Sequence, residues 1–559
     1  MFKNRWTRFL SSPIFLIAVI TTILTLFLLE KQFFIGVPYY DVYVYLNNSL
    51  LYAGISVGNL SVIYLSPLMP FLTSLVFRTG YISADILFLL DGFIFILGAV
   101  FLYLLLKVRF NTPASFAGVL IYLSYPLTMA WAVSGGIDFP GVSLSILAIY
   151  ILVKGINHDS KLIYLVFPLF ILAFLARYTS VLLIFPVVLF LLINQNRARN
   201  IKKLGIGVLA GLAVIIPFLL YIIYKLGNLY PIINIFTSTL LGSGATVNDL
   251  SYNPLKLYFL NNLLNYISVG PLTGIYGIIQ SPSRGDPTIL SYLIGVLVVV
   301  GLFMFVYPGI KNRLKISKIS RITTIKMLIL LILLIIGVYS FFNSSYLVAE
   351  LIFLAILYTL YHLVKNDNRN QKLDLLFLSW FGAFFIFHSI MPIKEDRYFI
   401  TMLPSLTYFI ILGLNTFIDK LIIKFKNKTK FNNENIKTAF LLGIGFLLLS
   451  YSTATLIGHV SQEGYGFYIQ YGCEWLKEYD PQYQDKVIYS NYDPAATWYL
   501  KKEVKFGVPR LYVDLEAFSN YLKGGGADYY IDAYSTSSPI PGYHIIFSRE
   551  TVTIYQKNF

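Results

Sequence analysis

The run SYLIGVLVVVGLFMFVYPGIKNRLKISKISRITTIKMLILLILLIIGVYSFF, residues 291–342, decides the architecture: two apolar stretches flank six cations between Lys311 and Lys326, with no acid among them. Each stretch approaches the roughly 20 residues that carry an α-helix across a bilayer core. The segment between them is therefore a basic turn at a membrane surface. Lys and Arg next to apolar spans are retained in the cytoplasm, so the turn also fixes an orientation.

Outward from this turn the pattern repeats along most of the 559 residues. Apolar spans are predicted near 13–30, 83–106, 113–133, 139–154, 162–176, 178–194, 204–225, 288–309, 327–343, 346–364, 373–390, 398–418 and 438–457, thirteen in all. Seven gaps of one parity, counted with the N-terminal segment, hold 26 cations against 5 acids; the opposite gaps hold 8 against 10, and the last hundred residues 9 against 12. The basic excess behind the net charge of +16 thus lies on one side of the membrane. A cytoplasmic N-terminus and an odd span count put the C-terminus outside.

Composition agrees, since 57% hydrophobic residues, 13% charged residues and a mean hydropathy of +0.70 exclude a soluble fold. Cations in short turns beside apolar spans serve topology and anionic headgroups, which removes nucleic acid as the expected partner. The single cysteine, Cys473, excludes an intrachain disulfide and a cysteine-based metal site. Lys3, Arg5 and Arg8 precede a long apolar stretch from Ser12 to Leu29 with no small-residue cleavage site, which reads as an uncleaved signal anchor.

The fold class is an all-α polytopic membrane protein with a small extracytoplasmic α/β C-terminal domain. The transmembrane domain is placed at 1–457, with a first external loop at 31–82 and a second at 226–287, and the C-terminal domain at 458–559. From Tyr39 to Gly80 the pattern predicts two interfacial helices turning aromatic and apolar faces toward lipid. A third is predicted from Pro254 to Tyr266. In the C-terminal domain, helix signals at Tyr471–Tyr479, Pro494–Lys501 and Asp514–Leu522 alternate with strand signals at Val487–Ser490, Tyr529–Ala533, His544–Phe547 and Val552–Tyr555. Gly524-Gly525-Gly526 reads as a turn, because no phosphate-loop spacing accompanies it.

Ionisable groups near apolar spans are costly and point to function, and here they gather on the external side. They are Asp41 in P-Y-Y-D-V-Y-V-Y, Asp138 in S-G-G-I-D-F-P, Arg177 in F-L-A-R-Y-T, and the turn Lys394, Glu395, Asp396 and Arg397. Each has a structural alternative. Arg177 could snorkel into headgroups, Asp138 and Asp41 could cap helices, and the late turn could hold a local ion pair. Asp91, Glu350 and His388 are read as partners of buried polar groups or as packing residues. A carboxylate with several cations at one face suits one chemistry. The carboxylate takes the proton of an acceptor hydroxyl while Arg and Lys stabilise a departing phosphate, and the electrophile is the anomeric carbon of a lipid-phosphate sugar.

These residues resemble the membrane-embedded C-type glycosyltransferase superfamily (GT-C), especially the branch of protein O-mannosyltransferases and the lipid A aminoarabinose transferase. The likeness covers the layout of nearly the whole chain. Asp41 with Tyr43 and Tyr45 is similar to the family's acidic first-loop motif, Leu172 to Thr179 around Arg177 to its L-x-x-L-x-K/R-x-T/P stretch, and Lys394-Glu395-Asp396-Arg397-Tyr398 to its late H-K-E-x-R-Y turn. Val42 stands where a second acid is common, Ile393 where a histidine often precedes the late turn, and no W-W-D-x-G sequence occurs. The last point argues against transfer of whole glycans to asparagine.

The resemblance implies an inverting transferase using a polyprenyl- or dolichyl-phosphate sugar donor and a protein, lipid or glycan hydroxyl as acceptor, at the outer face of a cell membrane. Asp41 is the expected general base, and Arg177, Lys394 and Arg397 are the expected phosphate ligands. Asp138, Glu395, Tyr43 and Tyr398 are expected in supporting or acceptor-binding roles. No cofactor is called for, and a divalent cation stays open as an assistant. A transporter or flippase of lipid-linked sugars is the other reading, but such proteins often show internal repeats and broken helices near the midplane, and neither is visible here.

Overall fold

A computed structural model describes residues 12–55, 63–158, 161–195, 201–241, 252–270, 281–314, 321–364, 369–425, 432–459, 465–534 and 539–558. Among them ten helices are long and apolar enough to cross a membrane, and the chain is a multi-pass membrane protein. These are Pro13–Ile35, Asp85–Leu106, Asp138–His158, Lys202–Leu226, Ile289–Pro308, Arg321–Asn343, Tyr346–Val364, Asn370–Ile390, Asp396–Lys424 and Asn433–Gly458. Each coincides with an expected span.

The other three expected spans are helical but broken. The span at 113–133 consists of Thr112–Ser124 and Pro126–Trp131. Tyr125 between them has φ −60° and ψ 138°, because Pro126 disfavours the helical region for the residue before it. The spans at 162–176 and 178–194 each open with a 3₁₀ segment, Lys161–Leu165 and Tyr178–Leu183, followed by α-helices Val166–Ala176 and Ile184–Ile193. Pro168 and Pro186 stand in the first turns of those helices, where a missing N–H removes no bond.

Long-range polar contacts test the alternation of spans. At one end of the bundle Arg109 pairs with Asp374 at 3.3 Å, joining two gaps read as one side, and Lys437 pairs with Asp419 at 2.7 Å within a single gap. At the other end Lys31 donates to the carbonyl of His459 at 3.5 Å, and Lys256 to that of Phe342 at 2.7 Å, joining gaps read as the opposite side. The C-terminal domain sits at this second end. The basic residues Lys3, Arg5, Arg8, Arg197, Arg199, Lys315 and Lys318 lie outside the described residues.

Two helices form in the first loop, Tyr40–Ala53 and Leu68–Phe77. The first differs from expectation. Residues 42 to 50 are all buried, since the C-terminal domain packs on this helix and it presents no free face to the membrane surface. In the second loop the expected helix from Pro254 to Tyr266 is two single turns, Tyr258–Asn261 and Leu263–Ile267. They are separated at Asn262, which leaves helical geometry and donates its side-chain amide back to the Tyr258 carbonyl at 2.9 Å. A further helix, Tyr230–Leu241, was not expected.

The C-terminal domain carries a five-stranded sheet of order β2-β1-β3-β5-β4, made of β1 (Ile488–Ser490), β2 (Lys505–Phe506), β3 (Tyr529–Asp532), β4 (Tyr543–Arg549) and β5 (Val552–Lys557). β1 runs parallel to β2 and β3, and β5 lies antiparallel to β3 and β4. Helices Tyr465–Tyr479, Asp493–Leu500 and Leu515–Gly524 accompany it. The triple glycine ends the last of these, with Gly526 at φ +72°. Only β2, two residues long, had no counterpart in the strand signals.

Candidate active site

Asp41 lies in the first turn of helix Tyr40–Ala53, and Arg397 in the 3₁₀ segment Asp396–Met402 that opens the twelfth span. Arg397 Nη2 donates to Asp41 Oδ2 at 2.8 Å. Their side chains are 19% and 40% exposed, so this pair faces an opening. The guanidinium also lies over three rings, with its carbon 5.1 Å from the centroid of Tyr39 and 5.8 Å from those of Trp131 and Tyr398. Ring faces attract a cation and restrict its plane.

The second pair is deeper. Arg177 has extended backbone just past helix Val166–Ala176, and its Nη1 contacts Oδ1 of Asp138, the first residue of helix Asp138–His158. Both residues are 4% exposed. Gly141 permits this approach, since a Cβ there would lie 2.5 Å from the Cβ of Arg177. The other oxygen of Asp138, Oδ2, has no hydrogen-bond partner among the described residues.

The two pairs belong to one constellation. Asp138 acts electrostatically on Arg397, Tyr39 and Tyr398, and Arg177 on Tyr398 and His388. Burial, reinforced by Asp138 and Asp41, pushes the Tyr39 hydroxyl well above its ordinary range despite the opposing charge of Arg397. His388 stacks on Tyr398 with centroids 5.1 Å apart and planes 15° apart, the packing role expected of it. Asp91 lies against the backbone of Gly135 and Gly136, and Glu350 is buried beside Tyr346.

Other expected residues have different duties. Lys394 Nζ donates to the carbonyls of His388 at 2.7 Å, Ser389 at 2.9 Å, and Met391. It therefore satisfies the C-terminal carbonyls of helix Arg369–Ile390 instead of joining Arg177 and Arg397. Burial, with Lys256 nearby, brings its ammonium down to about 8. The Tyr43 hydroxyl is bonded at 2.9 Å to that of Tyr499 in the C-terminal domain, which places Tyr43 at the domain junction. Glu395 precedes the 3₁₀ segment, and its carbonyl accepts from the Tyr398 amide at 3.0 Å.

Sequence reasoning missed two contributors, Tyr39 and Trp131, and gave Asp396 no task of its own within the late turn. Tyr39 and Trp131 flank Arg397 and pack edge to face at 5.1 Å. Asp396 accepts from the hydroxyls of Tyr258 at 2.8 Å and Tyr266 at 2.9 Å and from the Ser283 amide at 2.9 Å, pinning the second loop to the late turn. The one available signal was the glycine pair after Trp131: a Cβ on Gly136 would lie 2.2 Å from the Tyr39 hydroxyl.

A cavity of about 400 Å³ lies between the first-loop helices and the helix that precedes Arg177. Leu172 and Leu175 of the Arg177 helix, Tyr52 of the Asp41 helix, Phe71, Phe218 and Tyr221 line it. Arg78 is at its edge, with Nη2 bonded to the Tyr52 carbonyl at 2.7 Å. No group of three or more His, Cys, Asp or Glu that could hold a metal ion occurs among the described residues, and Asp41 and Asp138 are each paired with an arginine.

Residues 65–221 match the family model of dolichyl-phosphate-mannose-protein mannosyltransferases, a stretch that includes Asp138 and Arg177. Sequence comparison with curated proteins gives no match. Among solved structures, ArnT of Cupriavidus metallidurans bound to undecaprenyl phosphate is similar with a TM-score of 0.58 at 12% identity, covering 97% of each chain. The apo oligosaccharyltransferase of Archaeoglobus fulgidus is similar with a TM-score of 0.53 at 11% identity, covering 93% of this chain and 69% of that one. The likeness is one of fold, shared with ArnT over nearly the whole of both chains.

Proposed function

We propose that this chain is a membrane glycosyltransferase that moves a sugar from a polyprenyl- or dolichyl-phosphate carrier to an acceptor hydroxyl at the outer membrane face, with inversion. One observation carries the reading: Asp41 with Arg397, and Asp138 with Arg177, converge from four separate elements at the end of the bundle that bears the C-terminal domain. The match to a mannosyltransferase family model and the likeness to a structure holding undecaprenyl phosphate support it. So does the cavity lined by Leu172 and Leu175 of the helix that precedes Arg177, whose largely apolar lining suits an isoprenoid chain.

In this reaction the acceptor oxygen attacks the anomeric carbon, the bond from that carbon to the phosphate oxygen breaks, and the carrier leaves as its phosphate. Asp41, the more exposed of the two carboxylates, takes the acceptor proton. Arg397 and Arg177 stabilise the charge on the departing phosphate, and they exchange part of their pairing with Asp41 and Asp138 for it. Donors fixed in advance in a water-poor site are worth more than the same donors in water.

The test is transfer from a synthetic polyprenyl-phosphate sugar by purified, lipid-reconstituted protein. Asp41→Asn should lower the rate by a factor of about 10²–10⁴ with unchanged folding, the range of a lost general base. Full activity in that variant would refute the base assignment. Arg177→Gln should weaken donor binding and slow transfer together, and unaltered donor affinity would count against its phosphate role.

A further inference from the structure

The helix that carries Asp41 is held from outside the bundle. Tyr40, Tyr43 and Asn47 fall on one face at spacings of three and four residues, and each bonds to the C-terminal domain. The Tyr40 hydroxyl donates to Asp493 Oδ1 at 3.1 Å, the Tyr43 and Tyr499 hydroxyls share a bond of 2.9 Å, and Asn47 Nδ2 donates to the Pro494 carbonyl at 2.8 Å. All three partners lie on the single helix Asp493–Leu500. Tyr492, just before it, packs edge to face on Tyr40 at 5.3 Å and on Tyr43 at 6.0 Å.

Of the three hydrogen bonds, the first is made by the residue next to Asp41, at the start of the helix. Helix first turns fray unless capped, and Tyr39, at the cap position, makes no side-chain capping bond. The Tyr40 to Asp493 bond supplies the missing constraint. The segment around Asp493 is itself fixed: Asn491 donates to Asp532 Oδ1 at 2.7 Å and accepts from the Ala533 amide at 2.8 Å, which ties it to the end of β3. Asp493 is 9% exposed, and burial raises its carboxyl to about 6 although the Tyr40 hydroxyl favours the ionised form.

We infer that Asp493 of the C-terminal domain is a positioning residue: by accepting the Tyr40 hydroxyl it sets the first turn of the Asp41 helix, so that the carboxylate of Asp41 meets Arg397. The C-terminal domain is then part of the catalytic unit. This inference rests on the proposed reaction only for its kinetic readout.

Two measurements test it on the full-length protein in lipid nanodiscs. The first, hydrogen–deuterium exchange of residues 40–46, needs no substrate. Asp493→Ala and Tyr40→Phe should each speed exchange there about tenfold, the scale of one lost charge-assisted hydrogen bond. Tyr499→Phe, which removes the bond of Tyr43 and leaves that of Tyr40, should have a smaller effect on the same segment. The second is steady-state transfer from a polyprenyl-phosphate sugar. Asp493→Ala and Tyr40→Phe should lower kcat about tenfold with little change in donor KM, the double variant should be no worse than either alone, and Asp493→Asn should recover most of the loss because its amide oxygen still accepts. Unaltered exchange in the Asp493→Ala variant, or additive losses in the double variant, would overturn the inference. Wild-type protein inactive toward every lipid-phosphate sugar, with the exchange result as expected, would count against the proposed reaction and leave the positioning role standing.

Discussion

Arg397 is held by geometry as much as by charge. It has a carboxylate at 2.8 Å and three rings around its plane, so its replacement by Lys keeps the charge and loses the fork and the stacking. Arg397→Lys is therefore expected to cost a factor of about 10²–10³ in transfer rate, measured in reconstituted protein, the range seen when one oriented donor is removed. The buried Asp138–Arg177 pair behaves differently. Removing one partner leaves the other charge uncompensated at a cost of about 3–5 kcal/mol, whereas an apolar pair of similar volume is tolerated. Asp138→Leu alone should lower the melting temperature sharply, and adding Arg177→Met should restore it. If the arginine is a phosphate ligand, the restored protein still binds donor poorly. A double variant that melts and binds donor like the wild type would assign the pair to stability alone.

At the scale of elements, the late turn divides its four charges among different tasks. Lys394 closes a helix end, Asp396 pins the second loop, Arg397 pairs with Asp41, and Glu395 acts electrostatically on Tyr398. Asp396→Ala removes an acceptor of three hydrogen bonds at a buried position, which should cost about 3 kcal/mol or more and raise proteolysis within residues 252–288. Asp493 gives a prediction with a definite sign. Its carboxyl is raised from 3.8 to about 6 in the folded chain, so burial of its charge destabilises the fold above about pH 6 and is without effect below about pH 4. Asp493→Asn should thus melt higher than wild type at pH 8, with the difference closing by pH 4.

The spans were legible because hydropathy over 20 residues is a local property, and even the break at Tyr125 is implied by Pro126. The partnership of Asp41 with Arg397 joins positions 356 residues apart, and the choice among Lys394, Asp396 and Arg397 depends on where each side chain turns after a 3₁₀ start. Nothing in the local pattern encodes either. The burial of the Asp41 helix was misread for the same reason, since its second face meets residues more than 440 positions away.

For the molecule as a whole, contacts at its two ends join gaps of like parity, and the C-terminal domain shares an end with Asp41. In sealed vesicles, Val513→Cys and Lys424→Cys should react with a membrane-impermeant maleimide from opposite sides, while Cys473, fully buried, stays silent. Labelling of both from one side would break the span count. The central claim concerns the four charges at that end. A structure of the protein in nanodiscs with polyprenyl phosphate should show the phosphate within hydrogen-bond distance of Arg177 and Arg397 and the isoprenoid in the cavity beside Leu172, Leu175 and Phe218. A phosphate bound elsewhere, with the Asp41–Arg397 and Asp138–Arg177 pairs unchanged, would contradict the account.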